Sequence, residues 1–368
     1  MAGRRASTVA AIFLGIAIAQ GRSLSAGAPA LDQTELFAAG HGGYHTYRIP
    51  ALVVTKNGTV LAFCEGRKNN ASDHGHIDLM LRRSTDGGRT WGKMQRIADD
   101  GHHTMGNPCP VVDLTSGTIW LPLCRNNQRV LLMKSTDDGK TWSRPRDITK
   151  QAMDPEWHWV GTGPGHGIQL KSGRLVVPCW ADATGRLGQI QFSFVFYSDD
   201  NGKTWQNGAA LERDASDECE VIQRADGSLY MNMRSRRSKK QRAYSTSTDG
   251  GKTWASVRFD ARLPEPSCQG SIIRLTGTPQ FRKNRILLSC PANPAARDHL
   301  TVRISYDGCR SWAASKVLCS GPAAYCDLAV TRDRQILCAY EADNYAKIAL
   351  ARFNLEWLTN GKDTLGHR

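Results

Sequence analysis

The chain has 368 residues, of which 40% are hydrophobic and 22% are charged. This composition excludes a disordered or fibrous protein, and the length allows a sizeable hydrophobic core. The formal net charge of +14 is compatible with a nucleic-acid, membrane or acidic-glycan partner and equally with a basic soluble surface, so it selects none of them. Glycine is frequent throughout the chain, which favours many turns and therefore β-structure.

The amino terminus has the pattern of a secretory signal peptide. Arg4 and Arg5 precede an uncharged apolar run over residues 9–19, which ends in a small-residue cleavage motif; residues 25–28 offer a second site. The run is shorter than the roughly 20 residues that span a membrane, so we expect no stable membrane insertion. The predicted product is exported, either secreted or periplasmic, or lysosomal if the source is eukaryotic.

The cysteines do not have the pattern of a disulfide framework. There are 11 of them, an odd number. Several end apolar, strand-like runs, where a free thiol packs as a small hydrophobic group; these are Cys64, Cys124, Cys179, Cys290 and Cys338. We predict mostly free thiols, and a bridge that involves Cys309, Cys319 or Cys326 stays open.

An octapeptide of the form Ser-x-Asp-x-Gly-x-Thr-Trp recurs along the chain. The copies cover residues 84–91, 135–142, 198–205, 247–254 and, in degraded form, 305–312. Aspartate and glycine at these positions are typical of a tight turn, and the tryptophan is suited to packing between structural units. We therefore expect these aspartates to shape turns and to take no part in catalysis.

A second repeat is a hairpin of two apolar runs joined by a turn. The hairpins cover residues 51–64, 111–124, 168–179, 221–233, 272–290 and 328–340. Each of the first five is followed by one octapeptide, whereas the sixth is followed only by the apolar run 347–353.

The two repeats together predict the fold. A unit of about 40–50 residues with four strands is typical of a propeller blade. We predict an all-β, six-bladed β-propeller with four-stranded antiparallel blades over residues 41–358, preceded by a lead-in over 20–40 and followed by a tail over 359–368. A parallel β-solenoid is the alternative, but its repeats would be shorter and more uniform.

Strand direction places many polar residues at one rim. If the first strand of each blade runs from top to bottom, then residues before that strand, after the second strand and before the third strand meet at the top. This group contains Tyr47, Arg48, Glu65, Arg67, Asn107, Arg125, His166, Trp180, Glu218, Arg234, Arg297, Tyr325 and Glu341. Charged groups that converge at the end of a central channel indicate a site.

Short motifs at this rim resemble those of the sialidase (neuraminidase) family. They are Tyr47-Arg48-Ile49-Pro50 and the segments 65–67, 107–110, 217–219, 232–235, 324–328 and 340–341, and the octapeptides resemble the Asp-boxes of that family. The resemblance runs from about residue 41 to residue 358. It implies hydrolysis of terminal sialic acids with retention, through a tyrosyl intermediate.

The resemblance also implies catalytic roles. Tyr325 would be the nucleophile and Glu218 the base that takes its proton, since a free phenol with a pKa near 10 is a poor nucleophile at neutral pH. Asp73, in the loop after the second strand, would be the general acid and base. Asp78 competes for that role but stands where the third strand begins, so it ranks second.

Sialic acid carries a carboxylate on its anomeric carbon, which suits a clamp of guanidinium groups. The resemblance assigns this clamp to Arg48, Arg234 and Arg297. Arg303 is the alternative third arginine, but it lies near the far end of its strand. The remaining substrate-binding residues that we expect are Arg67, Glu341, Asn107 and Trp180, of which Glu341 would hold Arg48 and Trp180 could instead pack within the third blade.

The expected partners are sialylated glycoproteins, glycolipids or oligosaccharides, and not nucleic acid. The sequence leaves open a trans-sialidase that passes the sugar to an acceptor, and a non-catalytic propeller that binds sialylated glycans; it does not indicate the oligomeric state. No cofactor is expected. The histidines show no spacing of a known metal site, so no metal is expected either.

Overall fold

The computed structural model describes residues 28–184, 190–236, 239–278 and 281–365. The signal peptide predicted over residues 1–19 lies outside the described residues. Within them, strands dominate, and the helices α1 (Thr149–Ala152) and α2 (Leu355–Thr359) are each about one turn long. Neither of these helices approaches the length and apolar character that crossing a membrane requires.

All strand pairs are antiparallel, and the strands form separate sheets that follow one another along the chain. The first strand, β1 (Leu31–Ala38), belongs to the last sheet. The first sheet has the order β2 (Thr46–Val54), β3 (Val60–Arg67), β4 (Ile77–Ser84) and β5 (Gln95–Ala98). In the second sheet the strands are β6 (Met105–Gly106), β7 (Val111–Val112), β8 (Ile119–Arg125), β9 (Arg129–Ser135) and β10 (Arg146–Asp147), and both β6 and β7 pair with β8.

The third and fourth sheets repeat this plan. The third contains β11 (Trp159–Thr162), β12 (Ile168–Gln169), β13 (Leu175–Asp182), β14 (Gln191–Ser198) and β15 (Gln206–Asn207), and both β11 and β12 pair with β13. The fourth has the order β16 (Ser216–Gln223), β17 (Leu229–Ser235), β18 (Gln241–Ser247) and β19 (Arg258–Pro264).

The last sheet has seven strands and is built around one long strand. Its order is β20 (Ser271–Thr278), β21 (Phe281–Pro291), β22 (Asp298–Ser305), β23 (Ala314–Val330), β24 (Ile336–Ala342), β25 (Lys347–Phe353) and then β1. The first half of β23 pairs with β22 and the second half pairs with β24. The strand missing after the sixth hairpin is thus supplied by β1, which pairs with β25 and precedes the range 41–358 predicted for the propeller.

The hydrophobic core lies between neighbouring sheets. Leu61 and Leu79 of the first sheet pack with Ile119 and Leu121 of the second. Leu52 of the first sheet also belongs to a cluster with residues of β24, β25 and β1, so the first and last sheets are in contact. Successive side chains of a strand point to opposite faces of its sheet, so β3, which is buried throughout, supplies side chains to the layers on both of its faces.

The aspartates of the octapeptides accept hydrogen bonds within their own turns, as expected. Asp86 accepts hydrogen bonds from the Thr90 hydroxyl at 2.6 Å and from backbone N–H groups, and Ser84 donates to it at 2.7 Å. Burial opposes ionisation, but these bonds outweigh it and lower the pKa of Asp86 to about 2. The tryptophans pack across sheets: the ring centroids of Trp205 and Trp120 lie 6.4 Å apart.

All 11 cysteines are free, and all except Cys319 are buried. The bridge left open for Cys309, Cys319 or Cys326 is therefore not formed. Cys309 occupies a glycine position of the degraded octapeptide with φ of 70°, and its N–H donates to Ser305 Oγ at 2.9 Å, so the turn is kept.

A buried polar cluster, here called the central hub, joins the inner strands of the sheets. His166 Nδ1 lies 2.8 Å from Asp327 Oδ1, and Leu52 N donates to Asp327 Oδ2 at 2.6 Å. Ser271 Oγ lies 2.8 Å from Glu220 Oε2 and 3.0 Å from Asp327 Oδ1. Burial, and then the charge of Asp327, raise the pKa of Glu220 well above its ordinary value. The hub therefore links four sheets, and burial beside Asp327 favours the protonated form of Glu220.

We expect Glu220→Gln to remove a pH dependence of stability. Between the unfolded pKa of glutamate, about 4.3, and the raised folded value, the folded chain keeps a proton that the unfolded chain releases. The free energy of unfolding should then fall by about 1.4 kcal/mol per pH unit as pH rises through this window. Because glutamine mimics the protonated acid, the variant should match the parent near pH 4 and be more stable than it at neutral pH.

Urea denaturation at a series of pH values measures this effect, with Glu35→Gln on the exposed part of β1 as the control. A Glu220→Gln variant that loses stability equally at every pH would show that Glu220 is ionised in the folded chain.

Candidate active site

Arg48 is fixed by a bidentate ion pair. Its Nε and Nη2 donate to Glu341 Oε1 and Oε2 at 2.8 and 3.1 Å. The backbone conformation helps to orient the Arg48 side chain. The β2–β3 register shifts between Arg48 and Ala51. Ile49, within this shift, has φ of 59°, which is rare for a β-branched residue. Ile49 N donates to Glu341 Oε1 at 2.9 Å, so the same carboxylate holds the strained residue. Burial would lower the pKa of Arg48, but the charge of Glu341 raises it.

Tyr325 lies in β23, with its hydroxyl buried among charged groups. The hydroxyl donates a short hydrogen bond to Glu218 Oε1, and Arg234 Nη1 lies 3.1 Å from the hydroxyl oxygen. The Tyr325 backbone N–H donates to Glu341 Oε2 at 3.2 Å. Burial and the charge of Glu218 raise the pKa of Tyr325, against the opposing effects of Arg234 and Arg297. The proton therefore resides on the phenol, in contact with a carboxylate that can accept it.

The structure brings three predicted arginines together around Tyr325. The Cζ atoms of Arg48 and Arg297 lie 5.1 and 5.4 Å from the centroid of the Tyr325 ring. Arg234 Nη1 donates to Glu218 Oε2 at 2.9 Å. We call Arg48, Arg234 and Arg297 the arginine cluster.

Arg303 lies elsewhere. It is buried within the last sheet, with Nη1 3.6 Å from Cys290 Sγ, and it faces Ser315 across the β22–β23 pairing. This position matches the expectation that it stands apart from the cluster.

Residues 68–76, here called the acid loop, connect β3 to β4 and present Asp73 to the arginines. Asp73 Oδ1 lies 2.7 Å from Arg67 Nη2 and 3.6 Å from Arg48 Nη1, while 65% of its side chain is exposed. Partial burial would raise the pKa of Asp73, but the charges of Arg67 and Arg48 lower it. Asp78, the competing candidate, is fully buried and accepts a hydrogen bond from Tyr44 at 2.5 Å.

Glu65 organises two of the predicted binding residues. Its Oε2 accepts from Arg67 Nε at 3.0 Å and Nη2 at 2.7 Å. Its Oε1 accepts from the backbone N–H of Asn107 at 2.9 Å, where Asn107 has a left-handed φ of 52°. Arg67 Nη1 also donates to Ala71 O at 2.6 Å, within the acid loop. Arg67 and Asn107 are thus held on one carboxylate beside Asp73.

Trp180 is buried and packs beneath Trp159. Only 7% of it is exposed, and it lies opposite Gly161 in the β11–β13 pairing. Its ring centroid is 6.0 Å from that of Trp159, and the Trp159 ring in turn makes an edge contact with His74 of the acid loop at 5.4 Å. Trp159, which the sequence analysis did not select, therefore contacts the acid loop.

Tyr345 was also missed, although it contacts two of the three arginines. Arg48 Cζ lies 4.4 Å from its ring centroid, and Arg297 Nη1 donates to its hydroxyl at 3.2 Å. It ends a run of three left-handed residues, with φ of 52° at Asp343, 54° at Asn344 and 67° at Tyr345. Asp-Asn is a signal for left-handed turns, but nothing in the sequence indicates that the tyrosine after it is left-handed too. A small cleft opens beside Tyr345, Arg297 and Glu341.

Asp217 is the third missed residue. Its Oδ2 lies 3.6 Å from Arg234 Nε, and its Oδ1 accepts from the backbone N–H of Glu218 at 2.7 Å. Burial raises the pKa of Asp217 to about 6, with Arg234 opposing and Glu218 adding to the shift. The adjacent acidic pair in the sequence is the signal that could have identified it.

The geometry matches a definite chemistry. Three guanidinium groups can bind one carboxylate, because each presents fixed donors to it. The phenol of Tyr325 is hydrogen-bonded to the carboxylate of Glu218, so a potential nucleophile already has a base that can accept its proton. An exposed carboxylate beside Arg48, that of Asp73, can exchange a proton with a leaving group.

Residues 58–338 match the family model described as a BNR repeat-like domain. The chain is 32% identical over 384 residues to a sialidase of Micromonospora viridifaciens, across 96% of this chain and 58% of that protein, so it spans little more than half of that relative. It is 32% identical over 374 residues to an exo-alpha-sialidase of Aspergillus fumigatus, across 87% of this chain and 86% of that protein. Among solved structures, Hadza microbial sialidase Hz136 aligns with a TM-score of 0.80 and 28% identity over 89% of this chain and 69% of that chain.

Proposed function

The chain belongs to the sialidase family, and we propose that it is an exo-α-sialidase that hydrolyses terminal sialic acids from glycoconjugates. The observation that carries this proposal is the arginine cluster around Tyr325, with the Tyr325 hydroxyl donating to Glu218. A structural ion-pair network would not require a buried phenol at the centre of three guanidinium groups.

Substrate binding would use the charge of the sugar. The sialoside carboxylate takes the place between Arg48, Arg234 and Arg297, and it is attached directly to the carbon that reacts. A carboxylate nucleophile would be repelled at this position, whereas the neutral phenol of Tyr325 is not. Its attack is assisted by Glu218, which accepts the phenolic proton through the hydrogen bond already present.

Proton transfer to the leaving group would come from Asp73. The Asp73 side chain is exposed, and a general acid must be accessible in order to reach the glycosidic oxygen of the substrate. After the leaving group departs, the same carboxylate removes a proton from water, which attacks the tyrosyl intermediate from the face that the leaving group occupied. Two displacements at one carbon give net retention.

The fold that we propose is a six-bladed propeller. The long strand β23 serves two units: with β20, β21 and β22 it makes one group of four strands, and with β24, β25 and β1 it makes another. With the first four sheets this gives six units, and the contact of Leu52 N with Asp327 Oδ2 supports closure of the ring.

The proposed substrates are sialylated glycoproteins, glycolipids or oligosaccharides, and the proposed route is export through the apolar amino terminus. Transfer to a sugar acceptor is the alternative reaction, for which Trp159 beside the acid loop is the aromatic residue in a suitable place. Incubation with a chromogenic sialoside tests the main proposal. Absence of release between about pH 4 and pH 8 would exclude it and favour a binding-only propeller.

We expect Tyr325→Phe and Asp73→Ala to fail in different ways. Tyr325→Phe should still bind sialic acid but lose turnover by about a thousandfold or more, because the attacking oxygen is gone. Asp73→Ala should be severe on a natural sialoside and mild on an aryl sialoside whose leaving group departs without a proton. Steady-state kinetics of both variants on both substrates measure this.

The matched variant is Asp78→Ala, because Asp78 is the other candidate for the general acid. If it showed the dependence on leaving group and Asp73→Ala did not, the acid would be Asp78.

The third arginine can be tested by a pair of conservative changes. Arg297→Lys keeps a charge but loses the planar fork, so kcat/KM should fall by about 30-fold or more. Arg303→Lys should leave kcat/KM within about threefold of the parent, because Arg303 contacts Cys290 and not the cluster. Equal losses in the two variants would remove Arg297 from the clamp.

Tyr345 should act on substrate binding through the arginines. Tyr345→Phe loses only the hydroxyl that accepts from Arg297, and Tyr345→Leu also loses the ring under Arg48. KM should rise by about fivefold in the first and by more in the second, with kcat less affected, since these contacts position the clamp and do not touch the reacting bond. Tyr340→Phe, whose hydroxyl accepts from Gln33, is the control; an unchanged KM in Tyr345→Leu would contradict the role.

A further inference from the structure

Two buried polar atoms face each other where the acid loop meets β4, outside the arginine cluster. His76 Nε2 and Asp78 Oδ1 lie 3.4 Å apart. Both atoms are shielded from solvent, and neither has a hydrogen-bond partner among the described residues. Asp78 is fully buried. Buried polar atoms of folded proteins are usually hydrogen-bonded, and a bound ion is one way to satisfy two such atoms that lie next to each other.

A third ligand group completes the arrangement. One carboxylate oxygen of Asp99 lies within 4.8 Å of both His76 and Asp78 ligand atoms. Zinc binds imidazole nitrogen and carboxylate oxygen at about 2.0–2.2 Å, so adjacent ligands of a tetrahedral ion are about 3.3 Å apart. The separation of 3.4 Å between His76 Nε2 and Asp78 Oδ1 therefore has the length that a shared tetrahedral ion requires.

We propose that His76, Asp78 and Asp99 form a binding site for Zn²⁺. One imidazole with two carboxylates favours a borderline transition metal over Mg²⁺ or Ca²⁺, which prefer all-oxygen ligands. The fourth position would be taken by water or by His102, whose ring centroid lies 5.8 Å from that of His76.

The surroundings hold the carboxylates by their other contacts. Asp78 Oδ2 accepts from Tyr44 at 2.5 Å, which leaves Oδ1 for the ion. Arg96 Nη1 lies 2.7 Å from Asp99 Oδ2 and 3.6 Å from Asp78 Oδ2, and Gly101 N donates to Asp99 Oδ1 at 2.8 Å. Such outer contacts orient metal ligands in known sites.

The site is connected to the acid loop. Lys68 N donates to His76 O at 3.0 Å and closes the base of the loop, and Gly75 N donates to Thr104 Oγ1 at 3.2 Å. An ion on His76 and Asp78 that also binds Asp99, beyond β5, would fix the base of the loop that carries Asp73. The inference does not depend on the proposed hydrolase activity, because it is tested by binding.

The experiment titrates ZnCl₂ into the chelator-treated full chain at neutral pH by calorimetry, and repeats the titration with Co²⁺ while the visible absorption of tetrahedral cobalt is recorded. We expect one equivalent to bind and Tm to rise by about 2 °C or more at saturation. Asp99→Asn and His76→Gln should each weaken binding by at least about tenfold. The control is His299→Ala, an exposed histidine 2.6 Å from Asp298 in another sheet, which should bind as the parent does.

Other results would overturn the site. Absence of Zn²⁺ binding below about 1 mM would leave His76 and Asp78 as an ion pair only. Equal binding by the parent, Asp99→Asn and His76→Gln would mean adventitious surface binding, as would a loss of binding in His299→Ala. None of these readouts uses a sialoside, so an inactive protein that binds Zn²⁺ would contradict the proposed function alone.

Discussion

The carboxylate of Glu341 is the interaction on which the site depends. It is fully buried and accepts from Arg48 Nε and Nη2, from Ile49 N and from Tyr325 N. These donors come from the first strand of the first sheet and from β23 of the last sheet, so one side chain fixes the distance between a clamp arginine and the proposed nucleophile. Removing one member of a buried ion pair commonly costs about 3–5 kcal/mol, because the other charge is left without a partner. Glu341 thus stabilises the contact between the first and last sheets and the geometry of the site together.

The charges around Arg48 indicate how binding of a substrate carboxylate is linked to proton transfer by Asp73. Without substrate, Arg67 and Arg48 keep the pKa of Asp73 low, so its carboxylate is ionised. A sialoside carboxylate that engages Arg48 would cancel part of that positive charge, and the pKa of Asp73 would then rise. A general acid works best when its pKa is close to the ambient pH. The ligand-free ion pair is consistent with this role, because substrate binding itself would supply the change that lets Asp73 hold a proton.

Strand polarity predicted that Arg48, Arg234, Arg297, Tyr325 and Glu341 share a rim, and these five residues do lie together. His166 was placed in the same group, but it is buried against Asp327 in the central hub. The sequence could not show that β23 serves two groups of strands, because a continuous strand has no turn to mark the division. It also could not assign β1, whose partner β25 lies more than 300 residues away in the chain. Trp180 faces the interior because Trp159 covers it, and this order depends on the β11–β13 register, which the residue types do not reveal.

Two residues with a left-handed backbone, Ile49 and Tyr345, are connected with Arg48. Ile49 is left-handed on its own strand, and Tyr345 is left-handed in the loop after Glu341. Each such residue costs on the order of 1–3 kcal/mol and persists only where the surroundings fix it. The contacts made by these two residues converge on one side chain, since Ile49 shares Glu341 with Arg48 and the Tyr345 ring lies under the same guanidinium group. Arg48 is therefore oriented before any ligand arrives, and a preorganised charge stabilises a bound anion without the energetic penalty of reorienting the donor.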